Sequence, residues 1–371
     1  MGRPLRVGVV HNRASGRGRA SAFVARLHAF AADQARRRLV LVDLPLRLAQ
    51  AADALEGLDA VVLVGGDGTI HHALPALVAA HAGRGIPTLP APLGTENVIA
   101  GELGHRASVR AIVRALVAFA DGRPPLRSDL GWVRPADVRP TRPHQAAAAA
   151  DDAAEGVLFA LMLSTGPDAA IVGRVAAART GTTHKVRFVR PTLEQALRPR
   201  FHVLSVRVDG RSLATHRRGC LIVAVGPRYP LRLDLARRAS RTDGLLDCLF
   251  LPASTTASAL GWVAMARVGL HVRHPQARYA QGRTVELVIH DHRARPPCAL
   301  QIDGEADRLP GLAGSTAGRL VITSRPAALP LILPAAETPR PMRPGPAQAR
   351  LDPGPAPNAA CGSPRFAEGA C

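Results

Sequence analysis

Ala60-Val61-Val62-Leu63-Val64-Gly65-Gly66-Asp67-Gly68-Thr69 is the stretch on which the reading of this chain turns. Five small apolar residues, mostly β-branched, run straight into Gly-Gly-Asp-Gly-Thr. Such a run reads as a strand buried on both faces, as in a parallel sheet. The glycines end it, allow positive φ and leave no Cβ in the way of a bulky anion. From Ile70 to Ala80 apolar residues fall at 70, 73, 74, 77 and 78, a helical spacing. A strand, a glycine-rich turn and a helix form a phosphate cradle, because free backbone N–H groups at the helix start point at the anion. Asp67 fits such a cradle only if it serves a metal, a water or a neighbouring donor. The plain alternative is a tight βα turn with a capping Asp.

Working outward, the first half alternates strand and helix. Arg6 to Val10 is a strand, the loop 11–19 follows, and Ala20 to Arg37 reads as an amphipathic helix. Leu39 to Val42 is a strand and Ala51 to Leu58 a helix. After the central strand and its helix come a short strand at Pro87 to Leu89, a helix ending near Leu103, and another at Ser108 to Ala120. This alternation predicts a parallel, doubly wound α/β sheet, with ligands at the carboxyl ends of its strands. The loops 11–19, 65–69 and 92–97 all fall there.

Near residue 126 the pattern changes. Strand-like runs follow at 128–133, 157–164, 202–208, 220–225, 245–251, 284–290, 299–302 and 319–322, with helices mainly at 192–197 and 254–268. Many strands and few helices predict a mainly antiparallel β-sandwich. The expected organisation is an α/β nucleotide-binding domain over 1–126, the sandwich over 127–334 with an exposed Pro/Ala-rich loop at 134–155, and a disordered Pro-rich tail over 335–371.

Composition narrows the classes. The net charge is +20, yet Lys185 is the single lysine, and Ala, Arg, Gly and Pro dominate throughout. A GC-biased coding sequence explains this better than selection for a basic surface. No aromatic RNA-binding string or zinc-finger spacing accompanies the charge, so no nucleic-acid partner is expected. Attraction to anionic lipid headgroups stays open. The five cysteines, Cys220, Cys248, Cys298, Cys361 and Cys371, have no metal-ligand spacing and read as reduced thiols. No apolar run reaches the roughly 18 residues that span a bilayer, and no secretory signal is read. A cytoplasmic protein is the expectation.

Three further strings carry chemistry. Pro92-Leu93-Gly94-Thr95-Glu96-Asn97 opens a helix with a Gly-Thr turn, which offers N–H groups and a hydroxyl to a phosphate or ribose, or simply caps the helix. Asp243-Gly244-Leu245-Leu246-Asp247 reads by itself as a hairpin corner, as does Gln301-Ile302-Asp303-Gly304-Glu305.

GGDGT followed by P-x-G-T-x-N, the DG turn and the D-G-E string, in this order, resembles the diacylglycerol kinase catalytic family, which includes sphingosine and ceramide kinases. The resemblance spans about Arg6 to Leu333 and implies an α/β nucleotide domain followed by a β-sandwich. It implies an ATP- and Mg²⁺-dependent lipid kinase acting on diacylglycerol or a related membrane lipid, and therefore peripheral attachment at the inner membrane face. It further implies an ATP site at Asn12, Ser15, Gly16, Gly65, Gly66, Asp67, Gly68, Thr69, Gly94, Thr95 and Asn97. The implied metal site comprises Asp129, Ser240, Asp243 and Leu245, and the implied catalytic residues are Glu305, as proton acceptor, and Asp67.

The chain departs from the family in three places. Ile70-His71-His72 stands where the family has x-N-E, Val98 where it often has Asp, and Tyr229-Pro230-Leu231-Arg232-Leu233 where it has a Gly-rich string. Adjacent helix residues point about 100° apart, so His71 and His72 read as polar lining of the cleft rather than as one metal site. The alternatives to a lipid kinase are a kinase acting on NAD or a small alcohol, and a catalytically weak nucleotide- or lipid-binding protein.

Overall fold

The structure is a computed structural model that describes residues 3–12, 15–34, 38–48, 52–136, 156–166, 201–229, 235–290, 298, 300–305 and 318–335. The first lobe runs β1 (Leu5–His11), α1 (Arg19–Gln34), β2 (Leu39–Leu44), β3 (Ala60–Gly65), α2 (Asp67–Gly83), β4 (Thr88–Pro92), α3 (Val98–Leu103) and α4 (Val109–Ala120). Strands β2, β1, β3 and β4 lie side by side and all parallel. The central strand β3 is covered on both faces and is buried and apolar along its whole length. Val62 and Val64 of β3 pack under α1 and α4. Val61 and Leu63, pointing the other way, pack under α2 and α3.

The second lobe contains β5 (Leu126–Pro135), β6 (Val157–Phe159), β7 (Met162–Thr165), β8 (His202–Val208), β9 (Arg211–Ala224), β10 (Leu246–Pro252), α5 (Thr256–Arg267), β11 (Arg278–Gly282), β12 (Thr284–Ile289), β13 (Leu300–Ile302) and β14 (Arg319–Leu331). Its strand pairs are antiparallel. Val206, Leu221, Val223, Phe250, Leu287 and Ile322 meet in its interior. The fold is the expected one: an α/β lobe with a parallel doubly wound sheet, then a β-sandwich.

Some expectations were displaced. The helix expected at 51–58 is a single 3₁₀ turn, Ala52–Leu55, cut short where Gly57 takes a left-handed φ of 69°. The strand expected to end at Ile322 continues to Leu331, and Leu331 pairs in parallel with Thr88 of β4. β14 therefore belongs to both lobes and joins their sheets. The core is also shared: Ile70, Leu74 and Ile99 pack in one cluster with Trp132, Leu161, Met162 and Ala236. The first half of β9 and all of β11 were not expected. The helix read at 192–197, most of the loop 134–155, Pro230 to Leu233 and the chain beyond Ala335 lie outside the described residues.

Candidate active site

The parallel register brings three loops to one edge. His11 lies opposite Val64, and Gly65 opposite Pro92, so β1, β3 and β4 end together. Past β1, the N–H of Asn12 donates to Val64 O (3.3 Å) and that of Ser15 to Asn12 O (2.9 Å). Ser15 and Gly16 form the start of a 3₁₀ turn, Ser15–Gly18. Past β3 and β4, the N–H groups of Leu93 and Gly94 both donate to Gly65 O, at 2.9 and 3.0 Å.

The glycines of GGDGT act through close approach, not left-handed backbone. None of Gly65, Gly66 and Gly68 has positive φ, and Gly66 is extended at φ −108°. A Cβ on Gly66 would sit 2.9 Å from the Cα of Gly94, a Cβ on Gly65 would strike the Thr69 side chain, and a Cβ on Gly68 would sit 2.5 Å from Glu305 Oε1. The two loops thus pack backbone to backbone at the start of α2, where the N–H groups of Thr69 and Ile70 donate to Gly66 O at 2.9 and 3.4 Å.

Asp67 is engaged by a neighbouring donor. Its carboxylate accepts the N–H groups of Val98 (2.9 Å) and Ile99 (3.1 Å), the first two residues of α3. Burial pushes its carboxyl above the usual range, and the two N–H bonds pull it back. The side chain therefore ties the first motif to the second. Asn97 is left-handed at φ 50° and closes the second loop on itself: its Oδ1 accepts from Gly94 N (2.7 Å) and its Nδ2 donates to Gly94 O (2.9 Å). Thr95 stands exposed at the tip of that loop.

The second lobe contributes its D-G-E turn. Ile302 and Glu305 exchange backbone hydrogen bonds (3.0 and 2.9 Å) around Asp303 (φ 51°) and Gly304 (φ 82°), a type I′ hairpin. Asp303 is buried. It accepts the N–H groups of Ala160 (2.8 Å), Leu161 (2.7 Å) and Met162 (3.0 Å), and meets His71 Nδ1 at 3.2 Å. His71 is thus a buried bridge between lobes rather than cleft lining, while His72 beside it is exposed. Glu305, half-buried, rests its carboxylate against Gly68.

A second buried bridge was not anticipated. Arg241 is fully buried; its Nε and Nη2 bind both oxygens of Glu102 on α3 (2.7 and 3.1 Å), and its Nη1 donates to Ala160 O (2.6 Å). In so arginine-rich a chain nothing in the sequence marked this residue. It precedes the DG turn, where Asp129 accepts the N–H groups of Gly244 and Ala327, both at 2.7 Å. Burial raises the carboxyl of Asp129, and the charge of Asp243 adds to the rise. Asp243 is exposed and accepts from Leu245 N (3.0 Å); Ser240 Oγ lies 3.3 Å from Thr242 Oγ1. Among the described residues no three His, Cys, Asp or Glu side chains group closely enough to hold a metal by themselves. Two interacting carboxylates nevertheless fit a hard cation such as Mg²⁺, which binds through one or two carboxylates and keeps several waters. An open hollow of about 570 Å³, lined by residues including Ser212, Arg217 and Arg278, lies on the sandwich and shares none of these residues.

Comparison with known proteins agrees with this two-lobed arrangement. Residues 6–123 match the diacylglycerol kinase catalytic domain, and residues 161–333 match the YegS C-terminal NAD kinase beta sandwich-like domain. The chain fits the diacylglycerol kinase and YegS family through both of its lobes. It is accordingly a kinase of this superfamily, a phosphotransferase. Among solved structures it is similar to a chain from Bacillus anthracis str. Sterne titled a diacylglycerol kinase, with 13% identity and a TM-score of 0.57, covering 88% of this chain and 96% of that one. A second chain from the same organism gives 12% identity and a TM-score of 0.60, covering 88% and 97%. Identities this low speak for the fold alone. No curated protein sequence matched.

Proposed function

We propose that this kinase transfers the γ-phosphate of ATP, with Mg²⁺, to the hydroxyl of diacylglycerol or a related lipid at the cytoplasmic face of a membrane. The observation that carries the reading is the Glu305 carboxylate resting on Gly68, which puts a candidate base beside the phosphate cradle. In this mechanism the N–H groups at the start of α2 and the 93–97 loop hold the ATP phosphates. Glu305 accepts the proton of the lipid hydroxyl. The hydroxyl oxygen bonds to the γ-phosphorus as the bond from phosphorus to the β–γ bridging oxygen breaks, leaving ADP. Asp129 and Asp243, with Ser240 and the backbone of Leu245, would hold Mg²⁺, which when bound neutralises charge on the phosphates. Glu102–Arg241 and His71–Asp303 join the lobes, and phosphoryl transfer depends mainly on such positioning. No helix among the described residues is long and apolar enough to cross a membrane, so the lipid would be met at a surface.

The test is phosphorylation of a total lipid extract with labelled ATP, titrated with Mg²⁺ for wild type and Asp243→Asn. The reading expects a labelled lipid and a higher Mg²⁺ requirement in the variant. Label only on NAD or a soluble alcohol would replace the acceptor, and an unchanged titration would move the metal elsewhere.

A further inference from the structure

Helix α5 and the turn after it have an outer face of unusual composition. Six large hydrophobic side chains among the described residues are exposed, and four of them lie within 260–270: Leu260 (62%), Val263 (48%), Val268 (68%) and Leu270 (49%). The inner face is accounted for. Trp262 and Ala266 are buried against Leu249 and Leu251 of β10, and Trp262 Nε1 donates to Pro252 O (2.7 Å). A helix on a soluble surface ordinarily turns charge outward, but Arg267 is the one charged residue of α5. Clustered exposed apolar side chains of this kind mark an interaction surface.

The rim is cationic. No acidic residue occurs between Asp247 and Glu286, while Arg267, Arg273 and Arg278 are exposed there. Arg237 joins them from another segment: a Cβ on Gly269, between Val268 and Leu270, would strike its guanidinium. His271 Nε2 bonds Leu235 O at 2.9 Å, fixing this turn to the segment 235–243. The other end of that segment carries Arg241 and Asp243 of the candidate active site.

We infer that the face formed by Leu260, Val263, Val268 and Leu270, rimmed by Arg237, Arg267 and Arg273, docks the protein on an anionic lipid surface. The choice of a bilayer as occupant rests on the lipid-kinase reading and on charge. Apolar side chains enter the acyl boundary while arginines meet lipid phosphates. A second copy of this chain, itself at +20, would instead set one arginine rim against another.

The experiment is co-sedimentation of the full chain with vesicles of phosphatidylcholine alone and of phosphatidylcholine mixed with phosphatidylglycerol. The protein should bind the mixed vesicles more tightly. Leu260→Glu/Val268→Glu should lower that binding at least about tenfold, with an unchanged thermal midpoint. Arg237→Gln/Arg273→Gln should abolish the preference for anionic vesicles and its salt sensitivity. Phosphorylation of a detergent-dispersed short-chain diacylglycerol, read in parallel, should not change in the Leu260/Val268 variant. Vesicle binding lost in that variant supports docking even if the wild type phosphorylates no lipid, in which case the proposed function fails by itself. Equal vesicle binding by wild type and variant, no binding by either, or a solution dimer that the substitutions dissociate would each overturn the inference.

Discussion

Gly66 packs on Gly94, with only 2.9 Å between the Gly94 Cα and the place a Gly66 Cβ would take. Backbone on backbone, this contact sets the spacing of the two loops that form the proposed cradle. Gly66→Val would push the 93–97 loop away from α2. The expected result is loss of at least about tenfold in ATP affinity by calorimetry, since well-placed cradle contacts set anion binding, while far-ultraviolet circular dichroism stays native. Wild-type affinity in a folded variant would remove the cradle from this edge.

Glu305→Gln keeps size and hydrogen bonding but cannot take a proton. With the carboxylate already against Gly68, ATP binding should be unchanged and turnover should fall by about 10²–10⁴-fold. If Glu305 serves only its hairpin, turnover stays within a few-fold of wild type, and single-turnover phosphorylation separates the two outcomes.

Glu102→Gln should leave the buried Arg241 charge without its counter-charge. Breaking a buried pair from one side costs about 3–5 kcal/mol, so the urea midpoint should drop sharply. Replacing both, as Glu102→Leu/Arg241→Met, should recover much of the loss, because the desolvation of both charges disappears. A double variant no better than the single one would show that the Arg241–Ala160 bond carries the stability.

Asp247 is fully buried, bonded by the Tyr279 hydroxyl, and its carboxyl is raised from 3.8 to about 7, chiefly by burial. The folded state therefore holds a proton that the unfolded chain releases near pH 4. That contribution to stability is complete below about pH 4 and is lost as pH rises to about 7, and over the whole window it is roughly 4 kcal/mol at most. Asp247→Asn should flatten this part of the stability–pH curve and raise the thermal midpoint relative to wild type at pH 8. A parallel curve for the variant would show that Asp247 titrates normally.

The sequence by itself determined the parallel strands of the first lobe and most of its helices, the 51–58 segment excepted, because a strand buried between two helical layers is continuously apolar. The order of the motifs likewise gave the family and the two-lobed plan. It could not show what the motif side chains touch. Asp67 resembles a phosphate-site residue in sequence, but its carboxylate is held by the first turn of α3. His71 resembles cleft lining and is instead buried against Asp303, 232 positions away. Arg211 to Gly219 and Arg278 to Gly282 carry too many polar residues to stand out by period, and become strands only because neighbouring edges supply hydrogen-bond partners. β14 reaches Leu331 because Thr88 of β4 waits beside it. Local pattern reflects which faces are buried; pairing partners, close glycine contacts and buried ion pairs depend on residues brought together from distant positions, and only the folded chain decides those.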